Sequence, residues 1–298
     1  MEQIENIVLS KCPWCDSPDI RQGSKIHDYF LTREEFSLFS CNSCGLVFTN
    51  PRPKLENLGL YYQSDKYYSH TSSQVGIIPF IYRKVKEINL KTKFKQVTTG
   101  SVINKVLDIG CGTGDFLNVC KKSGKEIHGI EPDSKARNLA KEILKVEILH
   151  PDQSEKIPDE SFDLITMWHV LEHVPDLKKQ ISELSRIIKK GGKVVIALPV
   201  YESYDAEVYK EKWAAWDVPR HLYHFNKAVI NKMMLANDFK PGNVYPMKWD
   251  SFYVSMLSEQ YLKSAFGIVK AFFVGFLSNI KARNSGNYSS LVYTFIKM

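Results

Sequence analysis

The stretch KVLDIGCGTGDFL, Lys105 to Leu117, limits the fold more than any other part of the chain. Its apolar start, closed by Asp108, predicts a buried strand, and the following GDFLNVCKKSG predicts a helix ending at Gly124. Gly110, Gly112 and Gly114 therefore fall in a strand-to-helix turn. Glycine there permits a positive φ and removes the Cβ, so a ligand is expected to lie directly on the peptide plane. The alternation then continues, with EIHGIEPD a strand, SKARNLAKEIL a helix and VEILH a strand. FDLITMWHV follows as a buried strand, DLKKQISELSRIIKKGG as a helix stopped by its two glycines, and KVVIALPV as a strand. Strands alternating with helices imply right-handed crossovers, hence an α/β fold with a parallel sheet covered on both faces. Downstream, residues 228–237 read as a helix, NVYPM as a strand and 250–281 as a long helical insertion, before the alternating SSLVYTFIKM as a final strand.

In such a sheet a ligand binds beyond the C-terminal strand ends. The dinucleotide fingerprint is GxGxxG, with pyrophosphate on the helix N-terminus. Here the spacing is GxGxG followed by Asp115, whose carboxylate would repel a pyrophosphate and tolerate a cation. Glu131 closes the second strand, where a carboxylate can accept hydrogen bonds from both ribose hydroxyls. The ligand expected is a nucleoside without phosphates and with positive charge nearby, a description that S-adenosylmethionine fits.

Four of the six cysteines form two CxxC pairs, CPWC (Cys12, Cys15) and CNSC (Cys41, Cys44), with Gly45 letting the chain turn at the second. Four thiolates suit zinc in tetrahedral geometry and leave it no open position, so the metal is expected to be structural. FSLFSC and GLVFTN read as short strands beside them. Roughly 40 residues bury too little core to fold alone, so the metal would supply most of the stability. The expected organisation is a zinc ribbon over 1–52, a linker and helical lid over 53–99, and a main domain over 100–298 with a helical insertion at about 250–283. NPRPK forms the joint, LENLGLYYQSDKYYSH a short helix and loop, and 80–97 a basic amphipathic helix.

The N-terminal MEQIENIVLSKC lacks a signal-peptide pattern, which with the CxxC pairs points to a reducing, cytoplasmic setting. No stretch reaches the roughly 18 apolar residues of a spanning helix. The most apolar segment, AFGIVKAFFVGFL (Ala265–Leu277), is expected to be a buried or interfacial helix, and the lysines near it would suit peripheral contact with a membrane. The net charge of +7, from 40 Lys and Arg against 33 Asp and Glu, suits an anionic partner or a solvated basic surface.

VLDIGCGTGDFL, GIEPD, SFDLITMWHVLEHVPD and IIKKGGKVVIALP together resemble the class I S-adenosylmethionine-dependent methyltransferases over about residues 100–245. The cysteine pairs joined to such a domain resemble bacterial methyltransferases with an N-terminal zinc ribbon, some of which act in sugar and cell-envelope pathways. The resemblance implies a Rossmann-like seven-stranded sheet whose last strand is inserted antiparallel. It implies that Asp108, Gly110 and Gly112 line the methionine moiety, Glu131 the ribose and Pro132 the adenine, with Asp152 at the adenine amine and Met167 and Trp168 beside the cofactor. Gly114 completes the loop.

WHVLEHVPD places His169, Glu172 and His173 after the fourth strand, facing the transferred methyl. As HxxEH the segment matches an inverted zinc-protease motif, which needs a helix that a strand-attached His169 does not provide. It also resembles the ExxEH segment of ubiquinone-pathway O-methyltransferases, which brings in a divalent metal, with His169 here in place of the first glutamate. KWAAWDVPRHLYHF (Lys212–Phe225) gathers aromatic and polar residues for an acceptor pocket, with Arg220 to hold a phosphate or carboxylate and His221 to take a proton. The activity expected is methyl transfer to a small molecule, such as a hydroxylated sugar or a lipid-linked metabolite. The alternative is a nucleic-acid methyltransferase gripping phosphates through its ribbon and lysines, with strongly salt-dependent binding. An NPPY-type motif for base methylation is missing.

Overall fold

The computed structural model describes residues 5–62 and 77–298, with the backbone alone for 77–87. The expected tyrosine-rich loop and part of the lid therefore lie outside the described residues. Strands β1 (Asn6–Ile7), β2 (Ile20–His27), β3 (Glu35–Cys41), β4 (Val47–Thr49) and β5 (Arg52–Pro53) precede the helix α1 (Ile77–Thr98). The main domain then runs β6 (Lys105–Ile109), α2 (Asp115–Lys122), β7 (Glu126–Ile130), α3 (Ser134–Leu144), β8 (Ile148–Leu149), β9 (Phe162–Trp168), α4 (Leu177–Ile187), β10 (Ile188–Pro199). It continues through α5 (Tyr204–Tyr209), β11 (Tyr223–His224), α6 (Lys227–Leu235), β12 (Phe239–Pro246), α7 (Asp250–Leu262), α8 (Gly267–Ser285) and β13 (Ser290–Lys297).

Seven strands form one sheet in the order β12-β13-β10-β9-β6-β7-β8. The pairs from β10 to β8 are parallel, and β13 lies antiparallel between β10 and β12, as expected. Successive residues of β6 and β9 are buried on opposite faces. Leu107 and Ile165 join one apolar cluster, and Val106 and Leu164 join the other. Both faces are covered, which is why these strands read as nearly continuous apolar runs. The chain proceeds outward from β6 to β8 and returns to β9 on the other side of β6. The switch point lies between β6 and β9, and sheets of this kind bind ligands at the C-terminal ends of such strands.

Helix α4 buries Leu177, Ile181, Leu184 and Ile187 along one face, and the Asp176 side chain caps it by accepting from the Lys179 N–H. Its end corrects the reading from sequence. Gly191 and Gly192 do not stop the helix. The chain turns extended at Ile188, which pairs with Phe162, and the glycines lie within β10, where the register shifts. Ile187 and Ile188 are both buried, so the apolar pair marks the turn from helix to strand.

A second sheet, in the order β11-β4-β3-β2, holds the cysteine region. Its fourth strand comes from far along the chain: Tyr223 and His224 pair with Phe48 and Val47. The Thr49 N–H donates to the Leu222 carbonyl at 3.0 Å. Leu46 and Phe48 pack in the same cluster as Leu222, Phe225 and Ile230, so the ribbon's interior is continuous with the main core.

Candidate functional site

The glycine loop begins where β6 ends. The N–H groups of Gly110 and Cys111 both donate to the Ile130 carbonyl, which folds the loop over β7. All three glycines have positive φ, at 70°, 55° and 83°. They serve different purposes. A Cβ on Gly110 would meet Val170 at 2.4 Å, and one on Gly114 would meet Leu144 at 2.5 Å. Those two are bare because protein packs on them. A Cβ on Gly112 would meet nothing within 4 Å among the described residues, so this peptide faces open space.

Beside that space Glu131 is buried, and its carboxylate accepts from the Gly112 N–H at 2.8 Å and the Asp133 N–H at 2.9 Å. Burial raises its pKa despite these two bonds. Pro132 follows it, and its carbonyl accepts from Arg137. Asp152 sits on a 3-10 turn with an exposed side chain, 3.1 Å from His150 Nδ1. Met167 is wholly enclosed in the core, whereas Trp168, at the end of β9, meets Phe116 edge-on.

Asp108 is enclosed at the end of β6 and accepts a 2.6 Å hydrogen bond from Thr166 Oγ1. Burial pushes its pKa up to about 7, against that bond and the positive charge of Lys93. Lys93 reaches in from α1, with Nζ 4.4 Å from the centroid of the Trp168 ring. Burial lowers its pKa, while the charges of Asp250 and Asp108 act the other way. The Lys93 ammonium thus lies over the indole face, under the more distant charges of Asp108 and Asp250.

Past β9, His169 adopts φ 56°, a left-handed conformation that marks a sharp turn out of the strand. Its Nε2 lies 3.2 Å from Asp250 and its Nδ1 3.5 Å from Glu172. Burial disfavours the imidazolium, yet these two carboxylates outweigh it and raise the pKa to about 9. Glu172 is buried with neither oxygen hydrogen-bonded among the described residues. A ligand atom of Glu172, one of His173 and one of His221 all lie within 4.8 Å of one another.

The tautomers follow from carbonyls, which only accept. His173 Nδ1 is 3.0 Å from the Arg220 carbonyl and 3.0 Å from the Tyr62 hydroxyl. His221 Nδ1 is 2.8 Å from the Ala215 carbonyl. Each Nδ1 therefore carries a hydrogen, which leaves Nε2 as the nitrogen of each ring that can exchange a proton. The rings meet edge to face at 4.5 Å, and burial followed by the charge of His221 lowers the His173 pKa to about 4. His224 lies deeper against Thr49 Oγ1, with its pKa depressed by burial.

Arg220 does not present itself to an anion. Its guanidinium is buried, donating to Asp217 and to Asp28 at 2.9 Å, and to the Tyr61 carbonyl. It ties the Asp217–Arg220 turn to Asp28, just past the end of β2.

In the ribbon, Cys12, Cys15, Cys41 and Cys44 converge within 4.8 Å. The Cys12–Cys44 and Cys15–Cys41 sulfurs are 3.6 and 3.5 Å apart. A tetrahedron with zinc–sulfur bonds of about 2.3 Å has edges of about 3.8 Å, so the donor set fits one zinc ion.

A family model described as the methyltransferase domain matches residues 80–242, more than half of the chain. The chain belongs to the methyltransferase-domain family. The matched span contains the glycine loop, Glu131 and the histidine cluster, and begins after the four cysteines. An "uncharacterized methyltransferase" of Anoxybacillus flavithermus is 35% identical over 116 residues, covering 37% of this chain and 55% of the relative. One of Bacillus mycoides is 34% identical over 114 residues, covering 35% and 53%. The chain spans about half the length of the curated relatives it matches. Haemonchus contortus phosphoethanolamine N-methyltransferase 2, solved with S-adenosyl-L-methionine, superposes with a TM-score of 0.55 at 16% identity, covering 93% of this chain and 68% of that one. At that identity the likeness is one of fold.

The reading from sequence did not single out Lys93, which meets Trp168, because it stood among other lysines that resemble a solvated face. Thr166 and Asp250 were missed as well, one inside an apolar strand and one opening the insertion.

Proposed function

We propose that the chain transfers a methyl group from S-adenosylmethionine to a hydroxyl-bearing small molecule, with a zinc ion holding its ribbon. The observation that carries this reading is the join of two features at one switch point. No described residue covers Gly112, which adjoins the buried Glu131 carboxylate, and the Lys93 ammonium lies over the Trp168 ring under the charges of Asp108 and Asp250. The first suits a ribose and the second a positively charged methionine moiety. The indole Nε1 of Trp168 is also buried without a hydrogen-bond partner among the described residues.

When bound, S-adenosylmethionine supplies a methyl group activated by its sulfonium. The chain supplies placement, which accounts for most of the rate gain in an in-line displacement. Glu131 keeps lone pairs for the ribose hydroxyls, and Gly112 and Pro132 shape the slot. His173 and His221 hold Nε2 lone pairs that can take the acceptor's proton, and the Glu172 carboxylate favours the imidazolium so formed. His169, tied to Asp250, orients the turn.

Glu172, His173 and His221 also form a carboxylate–imidazole donor set that fits a divalent cation, and the Glu172 carboxylate, buried with only the 3.5 Å pairing to His169 among the described residues, favours that second reading. A metal there would lower the pKa of an acceptor hydroxyl. His169 is engaged by Asp250 and is not part of this set.

Calorimetric titration of the full chain with S-adenosylmethionine, NAD and ATP tests the cofactor. Binding of the first alone is expected, abolished by Gly112→Val, and uptake of NAD or ATP in its place would overturn the reading. His173→Asn and His221→Asn are expected to lower kcat by about 10²–10⁴ with cofactor affinity intact.

A further inference from the structure

The hairpin of α7 and α8 is built inside out. The residues of α8 that face the protein are Ala271, Gly275, Ser278 and Ala282, and those of α7 include Ser251, Ser255 and Ser258. The large apolar side chains point outward: Ile268 is 80% exposed, Phe272 60%, Phe273 59% and Phe276 49%. A water-facing helix on a globular core shows the reverse pattern. Of the 22 large apolar side chains exposed on the described residues, 12 lie between Trp249 and Ile280. That concentration makes one surface out of what elsewhere is scattered.

The inward face is specific and rigid. Ser251 Oγ donates to the Gly275 carbonyl at 3.0 Å, and Ser278 Oγ donates to Asp205 at 2.7 Å. A Cβ on Gly275 would stand 3.0 Å from the Phe252 backbone and 2.8 Å from its ring, so the two helices touch through the glycine. Small residues and buried hydroxyls that bring helices together are what apolar surroundings favour, since the large side chains are then free for the outer face.

Charge identifies the surroundings. No Asp or Glu occurs after Glu259, whereas Lys263, Lys270, Lys281 and Arg283 accompany the outward phenylalanines. No helix among the described residues is long and apolar enough to cross a membrane. An apolar, aromatic, exclusively basic face of this length suits the headgroup layer of an anionic bilayer. The hairpin is also continuous with the site, because Asp250, the first residue of α7, is the partner of His169.

We propose that the α7–α8 hairpin rests in the surface of an anionic membrane, and that the methyl acceptor is an amphiphile drawn from it, its polar head reaching the corner of His169 and Asp250. The acceptor half of this inference rests on the methyl-transfer reading. The membrane half does not.

Flotation of the full chain tests it, with vesicles of phosphatidylcholine alone and vesicles enriched in phosphatidylglycerol. The wild-type chain is expected to float with the anionic vesicles. Ile268→Glu combined with Phe273→Glu should reduce the bound fraction about tenfold or more. Lys263→Glu with Lys270→Glu should remove the preference for anionic lipid. S-adenosylmethionine affinity, measured in parallel, should be unchanged in both variants. A wild-type chain that stays unbound to both vesicle types overturns the membrane half, whatever its cofactor affinity. The same holds for a concentration-dependent dimer that the Ile268/Phe273 variant dissolves, since a second copy then covers the face. Flotation without cofactor binding would instead sink the methyl-transfer reading and the acceptor half with it.

Discussion

Lys93 lays its ammonium over the Trp168 ring at 4.4 Å, and the charges of Asp108 and Asp250 act against the burial that lowers its pKa. On the proposed methyl-transfer reading, this side chain from α1 holds the place of a charged cofactor, which must displace it. Lys93→Met is expected to tighten S-adenosylmethionine binding about threefold to tenfold, the worth of a partly desolvated cation–π contact. S-adenosylhomocysteine, which lacks the sulfonium charge, should gain less. Calorimetry with both compounds checks this, and weaker binding of both would make Lys93 a cofactor ligand instead of a place-holder.

On the proposed reading, the Asp108 carboxyl, pushed up by burial to about 7, ties cofactor binding to pH. Its folded value exceeds its unfolded one, so the native state binds the extra proton, and the ligand-free protein loses stability as pH rises from about 4 to about 7. A cation that pairs with the ionised form must expel that proton. Affinity for S-adenosylmethionine is therefore expected to rise about tenfold between pH 6 and pH 8, with release of up to about one proton at the lower end. Titrations in buffers of different ionisation enthalpy count the proton, and Asp108→Asn should flatten the profile.

Arg220 spans Asp217 and Asp28 from a buried position, and it lowers the pKa of both carboxyls against the effect of their burial. Arg220→Met leaves Asp28 charged, buried and without its counter-ion, a change that costs about 3–5 kcal/mol in comparable settings. The expected outcome is a large fall in the denaturation midpoint. Arg220→Lys should not restore it, because one ammonium cannot reproduce the fork that meets both carboxylates.

Metal analysis should find about one zinc per chain, and Cys41→Ser should lower that occupancy, since the four-thiolate set fits a single ion. Chelation is expected to unfold β2–β4. Loss of acceptor turnover should accompany it, because His221 and His224 adjoin β4 through the Thr49 side chain. Full zinc content in Cys41→Ser would exclude the site.

The parts legible in the sequence were those carried by local pattern. The glycine loop and the alternation of strand and helix follow from periodicity, and the antiparallel last strand from the family resemblance. The cysteine spacing likewise brought four sulfurs together. What was not legible depends on pairing across long separations. Tyr223 and His224 form a strand of only two residues, too short for any period, with partners some 175 positions away. Arg220 looked available for an anion because Asp28 lies 192 residues distant. The end of α4 was misplaced because glycines are read as helix stops, whereas here burial of Ile187 and Ile188 decides the turn. The glycine loop itself was understood only in part. Two of its three bare positions make room for Val170 and Leu144, and one is open.

The pairing of Tyr223–His224 with Val47–Phe48 bears on the ancestry of chains like this one. A ribbon grafted from a cousin would arrive without its outermost strand, which the recipient would have to provide in matching register. Recombination at the proline joint after Asn50 would then sever a sheet, although it respects the apparent border between modules. The two halves are expected to descend together, and sequence drift at Phe48 should be answered by drift at Tyr223.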